Sequence, residues 1–202
     1  MTKAEKAGGG IVYVKGSSIS CTAQLALKAS NANVSIIGVK NSDGTYPVLD
    51  FSAFRSAYIG KATTDSEVGI RISGSNYTIK NLIIQKAPDN GIQIKGSSAG
   101  NNTIENCMVR YNNDAGVQIT GGAYSNTMRF VYSYRNCDVY TLGGNADGFA
   151  PKLGAGKGNV FYGCYSWENS DDGWDSYDKD SLTYNLTYTN CCLLYTSDAA
   201  DE

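Results

Sequence analysis

A repeated pattern of glycine and β-branched residues places the strongest constraint on how this chain can fold. From residue 69 onward, a glycine followed by a short alternating segment recurs at Gly69, Gly91, Gly116, Gly148 and Gly173. Successive glycines are 22, 25, 32 and 25 residues apart. Units of this length that contain strand and turn signals without intervening helix are typical of solenoids built from β-coils. The repeat therefore predicts an all-β fold, a right-handed parallel β-helix.

Alignment of the repeats on their glycines predicts which side chains face the core. Two columns of apolar residues emerge, one directly after the glycine and one in a second strand of each unit, and side chains in such columns point into the solenoid. The first column is Ile70, Ile92, Val117, Phe149 and Trp174, and the second is Leu82, Cys107, Val131, Cys164 and Cys191. The cysteines of the second column are accordingly expected to be buried, inert thiols and not disulfide partners or metal ligands.

The N-terminal part of the chain shows weaker signals of the same kind. Residues 11–14 and 34–39 are β-branched segments bounded by Gly, Ser and Asn, which is typical of strands. Helical periodicity is confined to residues 23–29, and residues 58–66 are expected to form a loop. We expect one domain, a partial β-helix over residues 9–191 that is incomplete at its C-terminal end and at its N-terminal end.

Composition narrows the possible chemistry. The chain of 202 residues has 17 basic and 19 acidic residues, so no global charge favours a nucleic-acid or membrane partner. It has no histidine, which excludes Ser-His and Cys-His nucleophile pairs and histidine-based zinc sites. Acid-base chemistry would therefore fall to Asp, Glu, Lys, Arg, Tyr or Cys.

Acidic residues concentrate where two successive repeats begin. Asp147 and Asp172 each precede a repeat glycine, so they are expected on neighbouring coils, about 4.8 Å apart. Asp171 and Asp175 flank them. Carboxylates this close repel one another unless a cation binds, and an all-oxygen ligand set favours Ca²⁺ over transition metals. Asp-Gly as a mere turn signal is the alternative, but earlier repeats carry at most one such acid.

The segment 145–178, which reads NADGFAPKLGAGKGNVFYGCYSWENSDDGWDSYD, resembles the signature of polysaccharide lyase family nine, the parallel β-helix pectate lyases. The resemblance is dense over this segment and looser back to about Gly9. It implies a calcium site formed by Asp147, Asp171, Asp172 and Asp175. It also implies Ca²⁺-dependent β-elimination of homogalacturonan, in which a cation stabilises the charge that builds up when the proton at C5 is removed.

The family resemblance further implies a lysine base on a coil beyond the DDGWD segment, and we place no such lysine in this chain. Polar residues two and four positions past each repeat glycine should form an outward row on which a linear polymer could lie. On this row, Lys152 is predicted to contact a substrate carboxylate, with Lys95 and Arg71 as weaker contacts. The expected partner is an acidic polysaccharide, bound by a monomer.

The two ends of the chain lead to further expectations. Residues 192–202 lack glycine and strand alternation and resemble the translation of a sequencing adapter, so we expect a non-native tail, a truncated chain and no lyase activity. The first ten residues lack the apolar core of a signal peptide. Either the protein is cytoplasmic or its true N-terminus is missing, and the family resemblance implies that the full-length protein is secreted.

Two other functions remain open on the sequence alone. A polygalacturonase-type hydrolase would use paired carboxylic acids without a metal. A non-catalytic β-helix, such as an adhesin or a carbohydrate-binding repeat protein with structural calcium, would bind without turnover.

Overall fold

The fold was determined as a computed structural model that describes residues 2–178 and 185–194. Within these residues there are two short helices, α1 (Thr2–Lys6) and α2 (Ser52–Arg55). The first strands are β1 (Gly10–Val14), β2 (Ser18–Ser20), β3 (Leu25–Leu27), β4 (Val34–Gly38), β5 (Val48–Asp50), β6 (Ile70–Ile72), β7 (Tyr77–Lys80), β8 (Ile83–Gln85) and β9 (Ile92–Lys95). The remaining strands are β10 (Thr103–Glu105), β11 (Met108–Arg110), β12 (Val117–Thr120), β13 (Thr127–Arg129), β14 (Tyr132–Tyr134), β15 (Phe149–Pro151), β16 (Val160–Tyr162), β17 (Tyr165–Trp167), β18 (Thr187–Thr189) and β19 (Cys192–Leu193).

The strands form three parallel sheets, to which successive coils contribute one strand each. The first sheet has the order β1-β4-β7-β10-β13-β16-β18, the second β19-β17-β14-β11-β8-β5-β2, and the third β15-β12-β9-β6-β3. Every strand pair is parallel and in register with the coil before it. This arrangement is the parallel β-helix that the glycine repeat predicts.

The core lies inside the coils, in the columns that the sequence predicts. Ile70, Ile92, Val117 and Phe149 pair in register and are fully buried. The second column is buried as well from Leu82 to Cys164, while Trp174 and Cys191 are half-buried and pack against the same core. Full burial of an aliphatic or aromatic side chain contributes about 1.5–3 kcal/mol, so these columns supply much of the stability of the stack.

Cys107 and Cys164 are buried in the core column as predicted, whereas Cys191 is only half-buried. All six lie within the described residues and are free thiols. Burial raises the pKa of Cys107 and of Cys164 to about 12, which keeps both protonated at neutral pH. They therefore serve as small apolar residues of the core.

The repeat glycines are required because the interior is crowded beside them. A Cβ on Gly148 would collide with Ser166 Oγ and would lie 2.7 Å from the Gly173 carbonyl oxygen and 2.8 Å from Asn169 Nδ2. Asn169 is buried and belongs to a ladder in which its Oδ1 accepts from the backbone and side chain of Asn136. The glycine thus lets one coil approach the polar ladder inside the next turn.

The structure departs from the sequence-based predictions at three places. Residues 23–29 do not form a helix, because Leu25–Leu27 is strand β3 and pairs with β6. Helix α2 was not predicted and precedes the expected loop over residues 58–66. Cys192 and Leu193, which the sequence assigned to the tail, form β19 and pair with β17. Residues 195–202 of the predicted tail lie outside the described residues.

Neither described helix comes near the length and apolar character that a membrane-spanning helix needs.

Candidate metal-binding site

The outward face of the third sheet carries the predicted polar row. Arg71, Gln93 and Gln118 stack in register, followed by Ala150 on β15. The Gln93 side chain donates to Gln118 Oε1 at 2.7 Å. Beyond β15 the row continues at Asp175, because Trp174 bridges to Phe149 and the Asp175 amide donates to the Phe149 carbonyl at 2.9 Å.

Three of the four predicted metal ligands come together at this end of the row. Ligand oxygens of Asp147, Asp172 and Asp175 all lie within 4.8 Å of one another. The backbone explains the approach, since the Gly148 amide donates to the Asp172 carbonyl at 2.8 Å and stacks the two Asp-Gly turns. The Asp172 amide in turn donates to Asp147 Oδ1 at 3.2 Å. Asp147 is fully buried, whereas Asp172 is exposed at the surface.

Asp171 takes a different position from the other three. Its Oδ2 accepts a hydrogen bond from the Asn145 amide at 2.7 Å, and it is not part of the group of oxygens that lie within 4.8 Å. Its charge still reaches the site, because it raises the pKa of both Asp147 and Asp172. The role of Asp171 as a direct ligand stays a prediction.

Lys152 lies between two of the acids. Its Nζ is 2.8 Å from Asp147 Oδ2 and 2.6 Å from Asp175 Oδ2, and its side chain is only 11% exposed. Lys152 is the fourth residue past Gly148, so its position on the outward row was predictable. Its contacts in the structure are with the acids of the protein itself, and the predicted contact with a substrate carboxylate stays a prediction.

Burial and mutual repulsion shape the protonation of the site. Burial raises the pKa of Asp147 to about 6, against the opposing effect of Lys152. Burial, followed by the charges of Asp171 and Asp175, also raises the pKa of Asp172. Burial acts to lower the pKa of Lys152 because it disfavours the charged ammonium. Its hydrogen bonds to Asp147 and Asp175 outweigh this effect and hold the pKa above the ordinary lysine value. The site therefore has an excess of acid that one ammonium only partly neutralises.

The geometry fits a hard divalent cation. Oxygen ligands of calcium lie 2.3–2.6 Å from the ion, so two ligands of one ion are at most about 5 Å apart. The carboxylates of Asp147, Asp172 and Asp175 meet that limit, and those of Asp147 and Asp175 already contact a cationic nitrogen. All three are carboxylates, the ligand type that calcium prefers.

The other two predicted substrate contacts lie at the opposite end of the row and share one partner. Asp65 Oδ2 is 3.0 Å from an Arg71 guanidinium nitrogen and 2.7 Å from Lys95 Nζ. Gln93 Nε2 donates to Asp65 Oδ1 at 3.2 Å. Asp65 comes from the loop after α2, outside the repeats, and sequence reasoning missed it because no periodicity relates this loop to the row.

Sequence reasoning also missed two acids beside the candidate site. Asp89 and Asp114 occupy the position two before a repeat glycine, the same position as Asp171, and each is the single acid of its repeat at this point. Burial, together with the charges of Asp89 and Asp138, raises the pKa of Asp114 to about 8. Burial raises the pKa of Asp89 as well. Alignment of this column would have found them, and they extend the acidic character of the site down the stack.

A solenoid with a cluster of carboxylates at one end of a polar row defines a β-helical protein with a candidate cation site. The chain belongs to the family described as Pel9A-like, right handed beta helix region, whose model matches residues 2–200. This match confirms the resemblance that segment 145–178 carries, and also the right-handed coil.

Individual relatives agree with this assignment. The chain is 36% identical over 181 residues to pectate lyase L of Paenibacillus polymyxa (strain SC2), which covers 86% of this chain and 38% of the relative. The crystal structure of pectate lyase Pel9A superposes with a TM-score of 0.73 at 26% identity, over 90% of this chain and 44% of that one. A rhamnogalacturonan lyase shares the fold, with a TM-score of 0.69 at 22% identity over 90% of this chain and 48% of that one. The chain thus spans less than half the length of these proteins.

Proposed function

We propose that this chain carries the calcium-binding part of a pectate lyase that cleaves homogalacturonan by β-elimination. The observation that carries the proposal is the group of carboxylate oxygens of Asp147, Asp172 and Asp175 within 4.8 Å of one another. The group lies at the end of an outward polar row in a member of the Pel9A-like family. The relatives named pectate lyase support the same conclusion.

In this proposal Asp147, Asp172 and Asp175 hold the cation, with Asp171 as a fourth acid. The cation would supply electrostatic stabilisation of the negative charge that develops beside the uronate carboxylate when its neighbouring proton is removed. The half-buried members of the row, Arg71, Lys95 and Asp175, would contact an extended acidic polysaccharide that lies along the coils. The C4 oxygen of the sugar then leaves, and an unsaturated sugar end remains.

Lys152 does not suit the role of the base. A general base must be free to accept the C5 proton, and Lys152 Nζ is paired with Asp147 and Asp175, two of the carboxylates assigned to the cation. We therefore propose, as the family resemblance implies, that another lysine removes the C5 proton. Two further expectations belong to the same proposal: the whole protein acts outside the cell, and it acts as a monomer.

Binding and turnover can be measured separately on the chain as it is. We expect isothermal titration calorimetry to show that polygalacturonate binds in the presence of Ca²⁺ and not in the presence of EDTA. Substitution Asp175→Asn should weaken this calcium-dependent binding, because it removes one carboxylate of the cation site. Binding that is indifferent to EDTA would contradict the proposed calcium site.

Product chemistry separates the lyase from the two alternatives. Ultraviolet absorbance detects the double bond of the lyase product, whereas a polygalacturonase-type hydrolase releases saturated reducing ends without needing a metal. We expect calcium-dependent binding without either product from this chain. A chelator-sensitive rise in absorbance would instead place the base among the residues present here. Binding without turnover in any longer form of the protein as well would favour the non-catalytic β-helix.

A further inference from the structure

Two of the three carboxylates of the candidate cation site, those of Asp147 and Asp175, already contact a side chain of the protein. Asp147 Oδ1 accepts from the Asp172 amide at 3.2 Å, and Asp175 Oδ1 accepts from the Tyr177 amide at 2.8 Å. The backbone therefore engages one oxygen of each carboxylate. The other oxygen of each, Oδ2, contacts Lys152 Nζ at 2.8 Å and 2.6 Å.

Lys152 and a divalent cation would thus compete for the same two atoms. A cation coordinated at 2.3–2.6 Å by both Oδ2 atoms would lie in nearly the same space as the ammonium, and the two positive charges would repel each other strongly at such a distance. We propose that Lys152 is the resident counter-cation of this site, and that its ammonium must withdraw from Asp147 and Asp175 before they can bind calcium. This inference rests on the calcium site of the proposed function and adds a competitor to it.

The local structure allows the ammonium to move while the backbone stays in place. The Lys152 amide donates to the Ile119 carbonyl at 3.1 Å, and the next amide, of Leu153, donates to the Tyr177 carbonyl at 2.9 Å. These bonds fix the strand end between two coils. The four-carbon side chain of lysine has several rotatable bonds, so Nζ can turn outward along the polar row without disturbing them.

The arrangement also neutralises the charge of a fully buried carboxylate. Asp147 is 0% exposed, and an unpaired buried carboxylate is costly. Lys152 supplies the missing charge from within the same coil. Once the ammonium has turned outward, it lies on the row where a uronate carboxylate would pass, so calcium binding and contact with an acidic ligand become linked through one side chain.

Substitution Lys152→Met tests the competition. Methionine keeps an unbranched side chain and removes the charge, so calcium should bind about tenfold or more tightly by calorimetry than to the wild-type chain. In EDTA the variant should unfold at a lower temperature than the wild type, and saturating calcium should reduce this difference. Lys157→Met is the matched control, because Lys157 is exposed and its substitution changes the net charge equally. The control should leave the calcium affinity within about twofold of the wild type.

A second measurement needs no variant and therefore does not depend on the folding of one. An amine-reactive reagent should label Lys152 several-fold faster with calcium than with EDTA, since the ammonium leaves its two aspartates. Mass spectrometry of the peptide compares it with Lys157, whose labelling should not change. Unchanged or slower labelling of Lys152 in calcium overturns the inference.

The outcomes separate this inference from the proposed function. If the wild-type chain binds calcium and Lys152→Met binds it no more tightly, the competition is wrong and the calcium site stands. If neither protein binds calcium, the calcium site itself is wrong and the inference falls with it. Tighter binding by Lys152→Met, or binding by this variant alone, supports both.

Discussion

The two ends of the outward row share one scaffold and have opposite charge balance. At the N-terminal end, one acid, Asp65, is paired with the two cations Arg71 and Lys95. At the C-terminal end, one cation, Lys152, serves several acids that include Asp147 and Asp175. The strand register is the same at both ends, so the β-helix fixes the position of each side chain. The residue type at that position then decides whether its charge is neutralised by neighbouring side chains or stays available to a ligand.

The protonation behaviour of the acids follows the same contrast. Although burial acts to raise it, the hydrogen bonds from Lys95 and Arg71 lower the pKa of Asp65 below its usual value. Burial raises the pKa of Asp147 to about 6 and that of Asp114 to about 8. The first end is electrostatically satisfied, whereas burial at the second end keeps the pKa values of its acids above the usual range.

The largest effect expected from this comparison is on calcium affinity. Asp147→Asn removes a buried carboxylate of the candidate site, and we expect calcium affinity to fall by about a hundredfold or more. Asp65→Asn removes the acid of the other end, where no calcium is expected, and should change the affinity by less than about twofold. Calorimetry on both variants measures the difference. Equal losses in the two variants would show that the ends are not functionally distinct.

The next prediction concerns the register on which both ends depend. Gly148→Ala would place a methyl group against Ser166 Oγ and Asn169 Nδ2, and we expect the free energy of unfolding to fall by about 1–3 kcal/mol or more. Gly144 is the matched control, because its nearest neighbours to an added Cβ are 3.6 Å away, an ordinary contact distance. Denaturant unfolding of Gly148→Ala and Gly144→Ala compares the two, and similar stabilities would mean that the glycine column is dispensable.

A smaller effect is expected on the pH dependence of stability. Asp147 and Asp114 have pKa values that folding raises, so between about pH 4 and pH 8 the native state binds more protons than the unfolded state. The free energy of unfolding without calcium should therefore fall as the pH rises through this window, by at most about 1.4 kcal/mol per pH unit for each group. Asp114→Asn should flatten the upper part of the fall.

Asp65→Asn serves as the contrast for this pH series. Folding lowers the pKa of Asp65, so this carboxylate stabilises the native state at every pH above its pKa in the unfolded chain. That stabilisation is lost only as the pH falls through the pKa of the folded state, which lies below the range from pH 5 to pH 8. The slope between pH 5 and pH 8 should stay as in the wild type. A slope that Asp114→Asn leaves unchanged would show that this carboxyl is not the group that titrates there.

The repeats made much of the fold and part of the site predictable. A column of apolar residues at a fixed distance from each glycine has one consistent arrangement, with Ile70, Ile92 and Val117 stacked inward, and the structure has that arrangement. Asp147 and Asp172 share a position relative to the glycine, so their approach followed as well. By contrast, the prediction of helical periodicity over residues 23–29 was wrong. Leu25 and Leu27 are compatible with a short helix as well as with a strand, and pairing with β6 stabilises the strand.

By itself, the sequence determined the register of the coils and the acidic end of the row, because both repeat with a period that local geometry must obey. Only the tertiary structure decided that Asp65 reaches across to Arg71 and Lys95, and that Lys152 turns back onto Asp147 and Asp175. The path of a loop and the rotamer of a long side chain depend on contacts between distant residues, which no repeat encodes. Those contacts distinguish a closed polar network from an acidic cluster in which a lysine lies where we propose that a metal ion binds.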